Sequence, residues 1–220
     1  MTTMIGTLRK AIRTAARSMA SDRRGQSVIE FALALPFLVL MSVGTFAVGM
    51  IIDRHLTLGQ LVRSSGNMYA RGIDFQTGSN NRQFLIDAAS GMDLQLSGGK
   101  SALYLTLLTR VPAAATCSVG SPNAGLIVIA QRFSLGDTTS NSKMHSQLGM
   151  PANLQSDGNH ADFVCDADAV VSVPPAALDD VSSGMQENEF VYVVEAVHRP
   201  QTIAFQGIFA PEYMYSRAFF

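Results

Sequence analysis

The sequence predicts an α+β protein in which a long N-terminal transmembrane helix continues as a stalk and packs on a small antiparallel sheet. Three observations predict it. Phe31 to Ile52 (FALALPFLVLMSVGTFAVGMII) runs 22 residues without a formal charge. Beyond it, Leu58, Leu61, Val62, Ser65 and Tyr69 recur at helical spacing. From residue 101 the pattern changes to alternation, with β-branched and aromatic residues in short runs between Gly, Ser, Asn and Pro. The composition agrees with a membrane-attached chain. The residues AVILMFWYC make up 47% of the 220, and charged residues only 15%, against roughly 25% in an ordinary soluble domain. That balance excludes a disordered chain, which needs low hydrophobicity and high charge.

At ~1.5 Å per residue the apolar run spans ~33 Å, enough for a ~30 Å hydrocarbon core. A buried helix of a soluble protein would carry a polar stripe, and here only Ser42 and Thr45 are polar. Ala47 and Gly49 resemble a small-x-small cleavage site, but the apolar run exceeds the roughly 7–15 residues of a secretory signal. Charge gives the orientation. The first 24 residues hold Arg9, Lys10, Arg13, Arg17, Arg23 and Arg24 against Asp22, whereas from Asp53 onward 10 basic residues face 15 acidic ones. A basic head, an apolar middle and an acidic body place the head in the cytoplasm and the body outside. The overall charge of −1 argues against nucleic acid as a partner.

Glu30 is the one charge between Gly25 and Ile52. Taken alone it is an interfacial carboxylate about one turn from headgroup water. Its neighbours add more. Basic Arg23 and Arg24, then Gly25, then Glu30 five positions on, then Phe31 and an apolar helix resemble a type IV prepilin cleavage region. The string RRGQSVIEFALALPFLVL is similar to the start of the TadE-like family of tight-adherence (Tad) pilus systems. Arg23, Gly25, Ile29, Glu30, Phe31, Ala32 and Pro36 match that family's pattern. Tad major pilins commonly have Glu-Tyr where this chain, like TadE-like proteins, has Glu-Phe. The tail also resembles the family: a strand into a proline (Phe190 to Pro200), a short apolar link, and a closing strand with an arginine (Tyr213 to Phe220).

The resemblance implies a minor pilin or pseudopilin of pilin-like fold, taking part in Tad-type pilus assembly and surface adhesion. It implies cleavage by a prepilin peptidase between Gly25 and Gln26. Glu30 and Phe31 would then act in assembly, the carboxylate neutralising a Gln26 amine buried in the fibre. The implied partners are other pilins or pseudopilins of the Tad system, the peptidase, the inner-membrane assembly platform and membrane lipid. The implied location is the bacterial inner membrane, single-pass, with the C-terminal domain periplasmic or carried to the surface in a pilus. The alternative is a single-pass periplasmic binding protein that never enters a fibre.

Four segments follow: a basic cytoplasmic leader over 1–25, a transmembrane helix over 26–52, a helical stalk over 53–72 and an α+β domain over 73–220. In the leader, Ile5, Leu8, Ile12, Ala15 and Met19 recur at spacings of three and four opposite arginines, the pattern of a basic amphipathic helix suited to an anionic leaflet; a basic tail that only sets topology is the alternative. Pro36 lies near the helix start, where a mild kink is expected. The helix is expected from Gln26 to Arg71, ending near Gly72. A second helix is expected over Asn81 to Ser90, capped by Ser79 or Asn80. Strands are expected at Ser101 to Val111, with Leu103, Leu105 and Leu107 on one face, at Leu126 to Leu135 and at Phe190 to His198. Ala167 to Val173 and Glu212 to Phe219 are weaker candidates. Gly136 to Asn159 is long enough for a functional or mobile loop.

Cys117 and Cys165 form an even pair in the outer part of the chain, as a disulfide in an oxidising compartment requires. The bond would close a loop of about 49 residues, worth roughly 4 kcal/mol by chain entropy. Two free buried thiols are the alternative. Catalytic signatures are missing: none of His55, His145, His160 and His198 stands in H-E-x-x-H, and there is no G-x-S-x-G and no Walker loop. The chain is therefore expected to be no enzyme and to need no cofactor. Asp157, Asn159, Asp162, Asp166 and Asp168 are dense in oxygen, as Ca²⁺ requires, but depart from EF-hand spacing. Solvated acidic loops are common, so no metal is expected.

Overall fold

The computed structural model describes residues 26–76, 78–118, 120, 122–139, 141–171, 184–200 and 212–220. The leader, the leaving side of the Gly25–Gln26 bond and the apolar link after Pro200 fall outside the described residues. The chain divides into two units, Met1–Gly49 and Met50–Phe220.

Helix α1 spans Gln26–Ala70 and runs through Pro36 without a break. Within the first unit every residue from Ser27 to Val43 is exposed, including Phe37 at 71% and Met41 at 75%. Here the helix satisfies its own backbone groups, as lipid demands. The Thr45 hydroxyl donates back to the Met41 carbonyl at 2.9 Å, so that polar group is also satisfied inside the helix. In the second unit the helix becomes amphipathic. Leu58, Leu61, Val62, Ser65 and Tyr69 are buried, and Ser65 hides its hydroxyl on the Leu61 carbonyl at 2.6 Å.

The helix stops in a Schellman turn. Gly72 has φ +77°, its N–H donates to Tyr69 O at 2.9 Å, and Ile73 N–H reaches Met68 O at 3.1 Å. A left-handed residue is needed there, and glycine adopts it without a Cβ penalty. Helix α2 follows at Asn80–Ala88. Ser79 holds the N-cap position, but its hydroxyl donates to Asp74 O instead of capping.

Four antiparallel strands form one sheet in the order β2-β1-β3-β4: β1 Ser101–Arg110, β2 Ile127–Gly136, β3 Phe190–His198 and β4 Met214–Phe219. All are joined antiparallel, with one irregularity between Leu107 and Leu108. Alternation sorts the side chains. Leu103, Leu105, Phe133, Leu135, Val194, Ala196 and Met214 face α1 and form the main core with it. Tyr69 anchors this seam. Its ring stands edge-on to Tyr192 (5.0 Å between centroids), Phe133 (5.9 Å) and Phe75 (6.3 Å), and its hydroxyl donates to Gln131 Oε1 at 2.9 Å. The α+β class and the helix-covered sheet are as predicted.

One local expectation changes. Ala167 to Val173 is not a strand: Asp166 accepts from the Asp168 N–H and closes a 3-10 turn at Ala167–Ala169. Val170 then meets Val128 in one isolated bridge, and 172–173 lie outside the described residues. Within Gly136 to Asn159, Met144 and Leu148 are fully buried on the second sheet face, while Ala152, Asn153, Gln155 and Ser156 are exposed.

Candidate functional site

Three places hold the chemistry-bearing residues. The first is the start of α1. Gln26 opens the helix and Glu30 lies one turn on, so spacing puts both on one face. Glu30 is exposed, as is Phe31 at 60%. Gly25 lies outside the described residues.

The second is the disulfide. Cys117 pairs with Cys165, with their Cα atoms 5.8 Å apart. The bond joins the β1–β2 connection to the turn before Ala167. Asn123 braces the same junction: its backbone N–H donates to Val164 O at 2.8 Å, and its side-chain amide donates to Phe163 O at 3.0 Å and Asp166 O at 2.7 Å. Beside the bond lies an open cleft of about 310 Å³, walled by Thr109, Val111, Pro112, Phe163 and Phe190. Arg110 also lines it, but its guanidinium is committed to Gly125 O and Met185 O.

The aspartates gathered nearby serve the backbone. Asp157 accepts from the N–H and side-chain amide of Asn159, and Asp162 from the Cys165 N–H. Asp166 accepts from the Asp168 N–H and the Asn153 amide, and Asp168 from the Ala152 and Asn153 N–H groups. Hydrogen bonds from the Asn159 and Asp168 N–H groups hold the Asp157 and Asp166 carboxyls below the usual carboxylate range. Among the described residues no group of three His, Cys, Asp or Glu side chains converges as a metal site would require.

The third place was not foreseen from the sequence. Arg132, Glu195, Tyr104, Tyr215 and Arg217 share the sheet face turned away from α1. Glu195 is fully buried and accepts from the Ser146 hydroxyl, the Gln147 N–H and the Tyr215 hydroxyl, with Arg217 Nε 3.8 Å away. Arg132, 4% exposed, donates to Thr106 Oγ1 at 3.0 Å and to the Gly149 carbonyl. Burial pushes its guanidinium down to about 10, and Glu195 works against that fall. The network ties the 141–149 segment to the sheet. Its sequence signal was a glutamate inside FVYVVEAVH, where Val193, Glu195 and Val197 share a face.

The chain combines a helix long and apolar enough to cross a membrane, which is consistent with membrane anchoring, with a small α+β unit holding one disulfide. The family model described as TadE-like protein matches residues 25–66, the α1 segment with Glu30 and Phe31. The N-terminal resemblance is therefore to that family. No curated protein and no solved structure matches the chain.

Proposed function

We propose that this chain is a TadE-like minor pilin or pseudopilin that takes part in Tad-type pilus assembly and surface adhesion. The supporting observation is the coincidence, within the matched residues 25–66, of an apolar helical stretch exposed from Ser27 to Val43 with a carboxylate at its start. An exposed apolar helix suits lipid and the apolar interior of a fibre alike. The basic leader stays in the cytoplasm and the disulfide-bonded unit lies in the periplasm. A prepilin peptidase hydrolyses the Gly25–Gln26 bond, adding hydroxyl to the Gly25 carbonyl and leaving Gln26 with a free amine. In the assembled state Glu30 of one subunit offsets the Gln26 amine of another. The partners are other pilins or pseudopilins, the peptidase and the inner-membrane assembly platform.

Paired substitutions test this reading. A side chain at position 25 obstructs the peptidase, so Gly25→Val should remain full-length in the inner membrane. Glu30→Ala should be cut yet fail to support surface pili, because an unpaired buried charge costs about 3–5 kcal/mol. N-terminal sequencing of protein from membranes and sheared fibres reads both outcomes. Processing and piliation like the parent in both variants would overturn the pilin reading in favour of an anchored periplasmic interaction protein.

A further inference from the structure

We propose that His198 is a proton-operated latch, which when neutral holds the 92–100 connector against the ends of β1 and β3 and when protonated lets the connector open. The inference stands apart from the pilin reading and rests on the second unit alone. His198 closes β3, faces α1, is 2% exposed, and stands opposite Ser101 on β1 and Met214 on β4.

The hydrogen bonds decide its tautomer. Ser101 Oγ lies 2.5 Å from the Met92 carbonyl oxygen, which can only accept, so the single hydroxyl proton goes there. His198 Nδ1, 2.8 Å from the same Oγ, must then donate to it. A neutral ring protonated at Nδ1 leaves Nε2 bare, and Nε2 is buried with no partner among the described residues. An uncharged nitrogen tolerates that position. An incoming proton would create an N–H with nothing to donate to and a charge without water, which is costly.

The surrounding charges lean the same way. Arg54 on α1 and Lys100 on the connector oppose a cation, while the Met92 carbonyl and the Asp93 carboxylate, both on the connector, favour one. Burial is the larger effect and holds the imidazole below the usual histidine value. The connector buries Met92 and Leu94 in the main core and leaves its turn outside. It turns through Gly98 and Gly99, with φ +80° and +86°. Its backbone is held by the isolated Leu94–Gly99 bridge, by Met92 N–H to Ala89 O at 3.0 Å, Gly98 N–H to Gly136 O at 3.0 Å and Lys100 N–H to Asp93 O at 3.0 Å, and by its Lys100 carbonyl accepting from Arg199 N–H at 2.8 Å. Its Leu96 is already exposed.

The sign follows from linkage. A histidine depressed in the closed state favours closure fully above about pH 6.5, and the closed-to-open ratio falls about tenfold per pH unit below that until the closed-state value is passed.

Hydrogen exchange of the full chain in phospholipid nanodiscs tests the latch. After correction for intrinsic rates, protection of amides 93–101 should fall as the pH drops below about 6.5, approaching but not exceeding about tenfold per unit, while 103–108 stay protected. His198→Gln, which cannot take up the proton, should remove the pH dependence. Three results would overturn the proposal: a parent indifferent to pH, the same dependence in the variant, or simultaneous opening of 103–108. If the variant does not fold, ¹⁵N signals of the parent imidazole decide. A proton on Nδ1 with ionisation below the usual histidine value supports the latch, and a proton on Nε2 or ordinary ionisation refutes it.

Discussion

Alkaline pH should unfold the second unit, and the slope can be worked from three phenols. Tyr69 is 3% exposed, Tyr104 is fully buried and Tyr215 is half-buried. Burial raises all three ionisations well above the ordinary value, and the neighbouring Glu195 carboxylate raises Tyr215 further. In the unfolded chain each phenol releases its proton near pH 10. The native state then holds protons that the unfolded state has lost. Each phenol's contribution is intact below about pH 10 and falls by about 1.4 kcal/mol per pH unit above it. Arg132 acts oppositely: its native value of about 10 lies below the unfolded one, so losing its proton relieves the fold by up to about 1.4 kcal/mol per unit.

Three losses against one gain leave a decline of about 2.7 kcal/mol per pH unit, a ceiling because Tyr215 is partly solvated. Two units above pH 10 remove about 5 kcal/mol, comparable with the ~5–15 kcal/mol stability of a domain. Urea unfolding of the full chain in detergent, followed by circular dichroism in pH steps, measures the slope. Phenolate absorbance should show these tyrosines ionising together with unfolding. Tyr69→Phe keeps the ring cluster, loses the bond to Gln131, and should halve the slope to about 1.4 kcal/mol per unit. If the three phenols ionise near pH 10 while the fold persists, or if Tyr69→Phe leaves the slope unchanged, the reasoning fails.

Cys117→Ser should destabilise the second unit by up to roughly 4 kcal/mol, read from the denaturation midpoint, while the membrane anchoring of α1 is unchanged; mass spectrometry of unreduced parent should recover Cys117 and Cys165 in one linked peptide. Gly136 has φ +91°, and a Cβ there would overlap the Ser101 carbonyl oxygen, so Gly136→Ala should cost on the order of 2 kcal/mol or more in the same denaturation assay. At Gly66 the atoms a Cβ would meet first all belong to the Phe220 ring, the far end of a side chain that can change rotamer. Gly66→Ala should gain about 1 kcal/mol of helix propensity against the lost ring contact, stay near parent stability, and free Phe220 in the NMR spectrum.

How much was legible follows from how far apart the interacting residues lie. The helix, its end at Gly72 and β3 were readable because periodicity and a left-handed glycine are local signals; β3 matches its expected bounds. The family signature was local too, resting on Arg23 and Gly25 just before α1 and on residues within its first turns. The stretch after Ala167 misled because Asp166 captures a backbone N–H two residues on, a side-chain bond that alternation does not register. The second sheet face was opaque for a different reason. Glu195 reads as a charge interrupting a strand until Ser146, Gln147, Tyr215 and Arg217 arrive from elsewhere in the chain. The 141–149 segment has few apolar residues, so it reads as a solvated loop, yet Met144 and Leu148 are buried and Arg132 binds the Gly149 carbonyl. A polar residue on a strand face that should be apolar is thus the usable signal. Glu195 and Arg132, in LIVIAQRFSL, both carry it, and both mark where a connection folds back over the sheet.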